Sequence, residues 1–129
     1  MPLRVKGIQH LNLQVADLAR ARAFYTELLG FDVAFAKGDT IWLDAGGDLL
    51  GLSEGEPPAA RSFEHFGFMV DGPADVDRWA AQLRSHGVTP EKGPYDRSDG
   101  RSVYFRDPDG HLLEIFWVDP AFLEKPSRG

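Results

Sequence analysis

The sequence predicts an α+β protein built from two tandem βαβββ modules. Residues Gly7–Ser53 and Ser62–Phe116 each read as an alternating strand, an amphipathic helix and three further strand-like runs. Overlaid, Ile8–Leu13 matches Phe63–Phe68, which puts His10 on His65, and Gly47–Leu52 matches Gly110–Ile115, which puts Gly51 on Glu114. The four equivalent positions therefore hold His, His, Glu and Gly. Two imidazoles and one carboxylate with a position left open suit a divalent ion that must also accept a substrate.

The first strand is expected over Gly7–Val15, with Leu11, Leu13 and Val15 on one side and His10, Asn12 and Gln14 on the other. Asp17 is the expected N-cap of a helix running to Leu29, whose apolar stripe is Leu18, Ala21, Tyr25 and Leu28; Gly30 supplies the left-handed stop. Strands follow over Phe31–Ala36, Thr40–Asp44 and Asp48–Ser53, separated by turns at Lys37-Gly38-Asp39 and Ala45-Gly46-Gly47. The Pro57-Pro58 pair marks the linker, dividing the chain into module one, residues 1–56, and module two, residues 57–129. The second module repeats the order: a strand over Phe63–Val70, a helix over Pro73–His86 with Val76, Trp79, Ala80 and Leu83 on one side, and a stop at Gly87. Its remaining strands are expected over Thr89–Glu91, Arg101–Arg106 and His111–Val118, with Asp107-Pro108-Asp109-Gly110 as the turn before the last. A short polar tail follows from Asp119 and is expected to pack loosely.

Each half is small enough that a core is marginal alone, so the halves should share buried surface with each other or with a second subunit. Hydrophobic residues make up 43% of the 129-residue chain, enough for a core. A net charge of -6 without a Lys/Arg cluster argues against nucleic acid. The lack of cysteine excludes disulfides, thiolate ligands and thiol nucleophiles. No apolar run approaches membrane-spanning length, and Met1–Lys6 leads into a strand rather than resembling a signal peptide; a soluble cytoplasmic protein without a membrane partner is expected.

Strand alternation places His65 with Gly67 and Met69, and Glu114 with Leu112 and Phe116, opposite the residues that pack under the helix. His10, His65 and Glu114 thus all fall on helix-free faces. A single strand histidine is usually structural and a single Glu usually solvated; three at repeat-equivalent positions point to a metal centre. Tyr104 is the candidate acid or hydrogen-bond donor beside it. Trp42 is either a cavity wall or core packing, while His86 and His111 read as capping or exposed residues.

His10–Leu13, Phe24–Phe31, His65–Phe68 and Tyr104–Glu114 together resemble the vicinal oxygen chelate superfamily of glyoxalase I, fosfomycin resistance proteins, bleomycin resistance proteins and extradiol dioxygenases. The resemblance covers Gly7 to Val118 and is nearest to the fosfomycin resistance group. It implies cupped mixed sheets, a module-swapped homodimer, and metal sites shared between subunits, with His10 of one chain meeting His65 and Glu114 of the other. It further implies a divalent ion (Mn, Ni, Zn, Fe or Co) and a small oxygen-rich substrate, with transferase or lyase/isomerase chemistry by metal electrophilic catalysis. Tyr25 and the Arg97–Tyr104 stretch resemble the same group, where such a loop holds a monovalent cation; Ser98, Gly100, Ser102 and Tyr104 match it by position, and a polar turn into a strand is the alternative. Asn12, Trp42, Ser98 and Ser102 are the candidate substrate-contacting residues.

This sequence departs from the pattern at three places. Asn12 stands where the group has threonine, Pro94 where it has a phosphonate-binding lysine, and Leu123 where it has an arginine. A phosphonate dianion needs cations to offset its desolvation, so these changes argue against fosfomycin itself. Gly51, where glyoxalase I members usually place a fourth ligand, argues against an ordinary glyoxalase I site. The competing readings are a bleomycin-resistance-like drug-binding protein without catalysis and an Fe(II) extradiol-type dioxygenase.

Overall fold

The computed structural model describes residues 3–59 and 63–122. The chain divides into two compact units, Met1–Ala59 and Ala60–Gly129.

In the first unit, β1 (His10–Val15), α1 (Leu18–Ala23), β2 (Asp32–Lys37), β3 (Thr40–Asp44) and β4 (Leu49–Glu54) follow in order. The sheet order is β1-β4-β3-β2, with β1 parallel to β4 and the other pairs antiparallel. The Asp17 carboxylate caps α1 by accepting from the Arg20 N–H at 3.1 Å, and Glu54 accepts from the Leu18 N–H at 3.2 Å. The helix differs from the expected uniform α-helix. At Phe24 it passes into a π-helical turn, Phe24–Leu28, in which the Leu29 N–H reaches back to the Phe24 carbonyl. The wider turn brings Leu29 as well as Ala21, Tyr25 and Leu28 into the core, against Leu43, Leu50 and Leu52 of the sheet. Leu18, at the start of the expected stripe, is only half-buried.

The second unit repeats the topology with β5 (His65–Met69), α2 (Pro73–Ser85), β6 (Lys92–Arg97), β7 (Gly100–Arg106) and β8 (Leu112–Val118), in the order β5-β8-β7-β6. Val76, Ala80 and Leu83 of α2 are buried with Val103, Phe105, Leu113 and Ile115, the helix-side residues of β7 and β8. Arg101 joins sheet to helix, its guanidinium meeting Asp77 of α2 and Asp96 of β6, each at 2.8 Å. A single turn of 3₁₀ helix, Pro120–Phe122, closes the described chain; Leu123 and the rest of the tail lie outside the described residues.

One expectation needs correction here. The strand placed over Thr89–Glu91 starts at Lys92 and extends to Arg97, where the sequence suggested a polar loop. An irregularity hid it: Lys92 pairs with Tyr104 but Tyr95 pairs with Ser102, so one extra residue interrupts the alternation. Gly93 sits in this bulge at φ +89, and a Cβ there would lie 2.6 Å from the Ser102 carbonyl oxygen. The Arg97–Ser102 stretch is a tight hairpin: Arg97 pairs with Gly100 across a two-residue Ser98-Asp99 turn. Gly100 is required because any Cβ would overlap the Trp117 carbonyl.

Candidate metal centre

On the helix-free face of the second sheet, the register sets side chains in rows. Lys92, Tyr104, Glu114 and Gly67 form one row, and Tyr95, Ser102, Phe116 and Met69 the next. His65 pairs with Leu112, one row from Glu114 on the same face. Gly67 leaves room for the acid, since a Cβ there would stand 2.8 Å from the Phe116 ring and 3.3 Å from Glu114 Oε1.

His65 Nδ1 lies 2.8 Å from the Phe63 carbonyl oxygen. A carbonyl only accepts, so Nδ1 carries the proton and Nε2 presents its lone pair. That Nε2 faces Glu114 Oε1 at 3.5 Å. The other carboxylate oxygen, Oε2, accepts from the Ser102 hydroxyl at 2.7 Å and from the Arg97 guanidinium at 3.2 Å. Glu114 is only 6% exposed, and these two donors compensate its buried charge. Arg97 also meets Asp99 at 3.2 Å. The pair fits an ion. Metal–nitrogen and metal–oxygen bonds of about 2.1 Å at a tetrahedral angle hold their donors about 3.4 Å apart. His65 Nε2 and Glu114 Oε1 face each other and already stand near that spacing.

Tyr104 packs edge-on against His65 with ring centroids 5.2 Å apart and stacks on Tyr95 at 6.4 Å. Burial, then the Glu114 charge, pushes its hydroxyl pKa up to about 12, so the phenol stays neutral and able to donate.

The first sheet carries His10, Asn12, Trp42 and Gly51 on its corresponding face. A Cβ on Gly51 would stand 2.7 Å from Trp42 Cζ3 and 2.8 Å from Asn12 Nδ2, so Trp42 and Asn12 cover the position equivalent to Glu114. Trp42 meets the His10 ring edge-on at 5.5 Å and stacks with Phe35 at 6.2 Å. The His10 Nδ1 lies 2.8 Å from Gln9 Oε1, and Asn12 donates to the Ser53 hydroxyl at 3.1 Å.

The structure thus brings together His65, Glu114, Ser102 and Tyr104 of the predicted residues, while His10, Asn12 and Trp42 gather in the first unit. Among the described residues no three His, Cys, Asp or Glu side chains form a metal-holding group. Ser98 is exposed in its turn, and Ser102 is engaged with Glu114. Pro94 lies inside the bulge, where it presents no cation. Sequence reasoning missed Arg97 as a Glu114 partner and missed Lys92 altogether. Alternation counted back from Arg97 puts Lys92 on the helix side, and only the bulge returns it to the face that carries Glu114.

The profile of the Glyoxalase/Bleomycin resistance protein/Dioxygenase superfamily matches residues 7–115. The chain belongs to that superfamily. It is 34% identical to the glutathione transferase FosA of Serratia marcescens over 97% of this chain and 94% of that one. It is 32% identical to the metallothiol transferase FosB of Staphylococcus haemolyticus over 86% of this chain and 83% of the relative. Among solved structures, a variant of the fosfomycin resistance protein FosX from Listeria monocytogenes, complexed with Mn(II) and 1S,2S-dihydroxypropylphosphonic acid, aligns with a TM-score of 0.76. That match has 26% identity and covers 87% of this chain and 90% of the other. No helix of the described residues is long and apolar enough to cross a membrane.

Proposed function

We propose that this protein is a divalent-metal-dependent enzyme acting on a small oxygen-rich substrate by transferase-type chemistry, within the fosfomycin-resistance branch of its superfamily. The observation that carries this reading is the facing pair His65 Nε2 and Glu114 Oε1, whose other polar atoms are already bound by Phe63, Ser102 and Arg97. The third donor is His10 of the partner subunit in a module-swapped homodimer. Mn(II) is the first candidate, by analogy with the FosX complex; Ni, Zn, Fe and Co suit the same donors.

When bound, the ion supplies a Lewis acid to two neighbouring substrate oxygens. Ser102 and Arg97 hold the Glu114 carboxylate in one orientation, and the Phe63 carbonyl holds the His65 tautomer. Tyr104 offers a neutral hydroxyl to a substrate oxygen on which negative charge develops. Asn12 and Trp42 supply polar and aromatic wall from the first module. Metal analysis of the gently purified wild type and of His65→Ala tests the assignment: metal in the wild type and its loss in the variant are expected, and equal metal in both overturns it. Sedimentation tests the dimer; a monomer that still holds metal would remove the shared site.

A further inference from the structure

We infer that the edge strand β2 (Asp32–Lys37) pairs antiparallel with β2 of a second copy of this chain, joining the first-unit sheets of two molecules into one. This contact is separate from the proposed metal centre, whose first-unit histidine lies on β1 at the other margin of the sheet. In the order β1-β4-β3-β2, β2 is hydrogen-bonded to a strand on one side only, and its outer margin presents backbone N–H and C=O groups to solvent. All six of its residues are exposed, Val33 and Phe35 included. Asp32 at one end and Lys37 at the other make no ion pair among the described residues. Asp32 also stands opposite a like charge, Asp44 of β3. Asp44 is held by the Gly46 and Gly47 N–H groups at 3.0 and 2.9 Å, which leaves Asp32 as the carboxylate of this pair that a cation would stabilise.

Laid antiparallel on itself, Asp-Val-Ala-Phe-Ala-Lys is self-complementary. Asp32 falls opposite the partner's Lys37, Val33 opposite the partner's Ala36 and Ala34 opposite the partner's Phe35, and a twofold axis repeats each pair. In a regular strand residues 32 and 37 would point to opposite faces and could not meet in this way. The bulge between Val33 and Phe35 changes that parity. Asp32, Phe35 and Lys37 pair with Asp44, Trp42 and Thr40, which alternate onto the helix-free face together. Both ends of the contact therefore set an acid and a base on one face. A bulge ordinarily blunts an edge, but here each copy's extra residue is met by the other's, and the two strands stay equal in length. The other margins lack this complementarity. In the second sheet β6 would set Lys92 against the partner's Arg97, and its Pro94 has no N–H to donate. Strands β1 and β5 contain no Asp, Glu, Lys or Arg.

The test uses the full-length chain as wild type, Asp32→Lys, Lys37→Asp and the double reversal. Mass is read by sedimentation equilibrium over a concentration series, and circular dichroism checks that each variant folds. The wild type should show a concentration-dependent doubling of mass. Twofold symmetry makes each single reversal place like charges at both ends of the contact, so each should weaken association at least about 10-fold. The double reversal restores unlike charges and should return to within about 3-fold of the wild type. Asp32→Lys and Lys37→Asp, each poor at pairing with itself, should pair when mixed, because every charged position then opposes its complement. Absence of a doubling in the wild type overturns the inference. So does a doubling that neither single reversal moves, which would belong to another surface such as the module-swapped dimer. Single reversals whose loss is recovered neither by the double reversal nor by the mixture overturn it as well. If either reversal does not fold, Asp32→Arg or Lys37→Glu takes its place.

Discussion

On the first sheet Gly51 of β4 lies beneath the Trp42 ring and the Asn12 amide, whereas on the second Glu114 of β8 stands over Gly67 of β5. The paired positions 12 and 51, and 67 and 114, have exchanged bulk. In each module one strand carries a side chain into the shared volume and its neighbour carries none, because two side chains would collide there. The same scaffold therefore makes a ligand pair in one copy and, in the other, a histidine beside an aromatic and amide wall. Duplication supplied the frame, and the placement of one glycine in each copy decided which sheet received the acid.

The largest predicted effect comes from removing that acid. Glu114→Gln should weaken Mn(II) binding by about 100-fold or more, read by electron paramagnetic resonance, whereas Gln9→Ala at the first-sheet histidine should cost far less. Comparable losses would mean the two sheets contribute alike. Ser102→Ala follows, with about 10- to 100-fold weaker metal binding, because Glu114 Oε2 would lose its 2.7 Å hydrogen bond and keep the longer one from Arg97. Unchanged affinity would separate Ser102 from the metal.

Filling the glycines probes the exchange of bulk directly. Gly51→Ala should destabilise the protein by roughly 1–3 kcal/mol in urea unfolding by pressing on Trp42, and Trp42→Leu in the same chain should relieve part of that loss. A neutral Gly51→Ala would show that the first sheet tolerates side chains on both strands. The smallest effect is spectroscopic. Tyr104 should ionise near pH 12 in an ultraviolet titration, above the ordinary phenol value of 10.0, and Tyr104→Phe should remove that step. Its pKa is raised on folding, so its contribution to stability is complete below pH 10 and is lost as the pH rises toward 12. A step near pH 10 would show that burial and Glu114 do not act on it.

Much of this was readable from local pattern. Asp17 as a cap, Gly30 and Gly87 as left-handed stops, and the alternation that sets His65 and Glu114 on one face all follow from near-neighbour sterics and hydrogen bonding. The π-helical turn at Phe24–Leu28 was not readable, because the same apolar spacing suits a plain helix and the choice rests on how Leu29 packs. Lys92 was lost for a different reason. The bulge inverts the parity of β6, and parity is what any reading of strand faces depends on.

By itself the sequence determined the duplicated α+β plan, the helix and strand order and the candidate ligand types, since backbone preference and side-chain periodicity act over a few residues. Only the tertiary structure decided that Ser102 and Arg97 hold one oxygen of Glu114, that Phe63 orients His65, and that Lys92 joins their face. Those relations join residues on different strands, and inter-strand register is set by packing of the whole sheet rather than by any short segment.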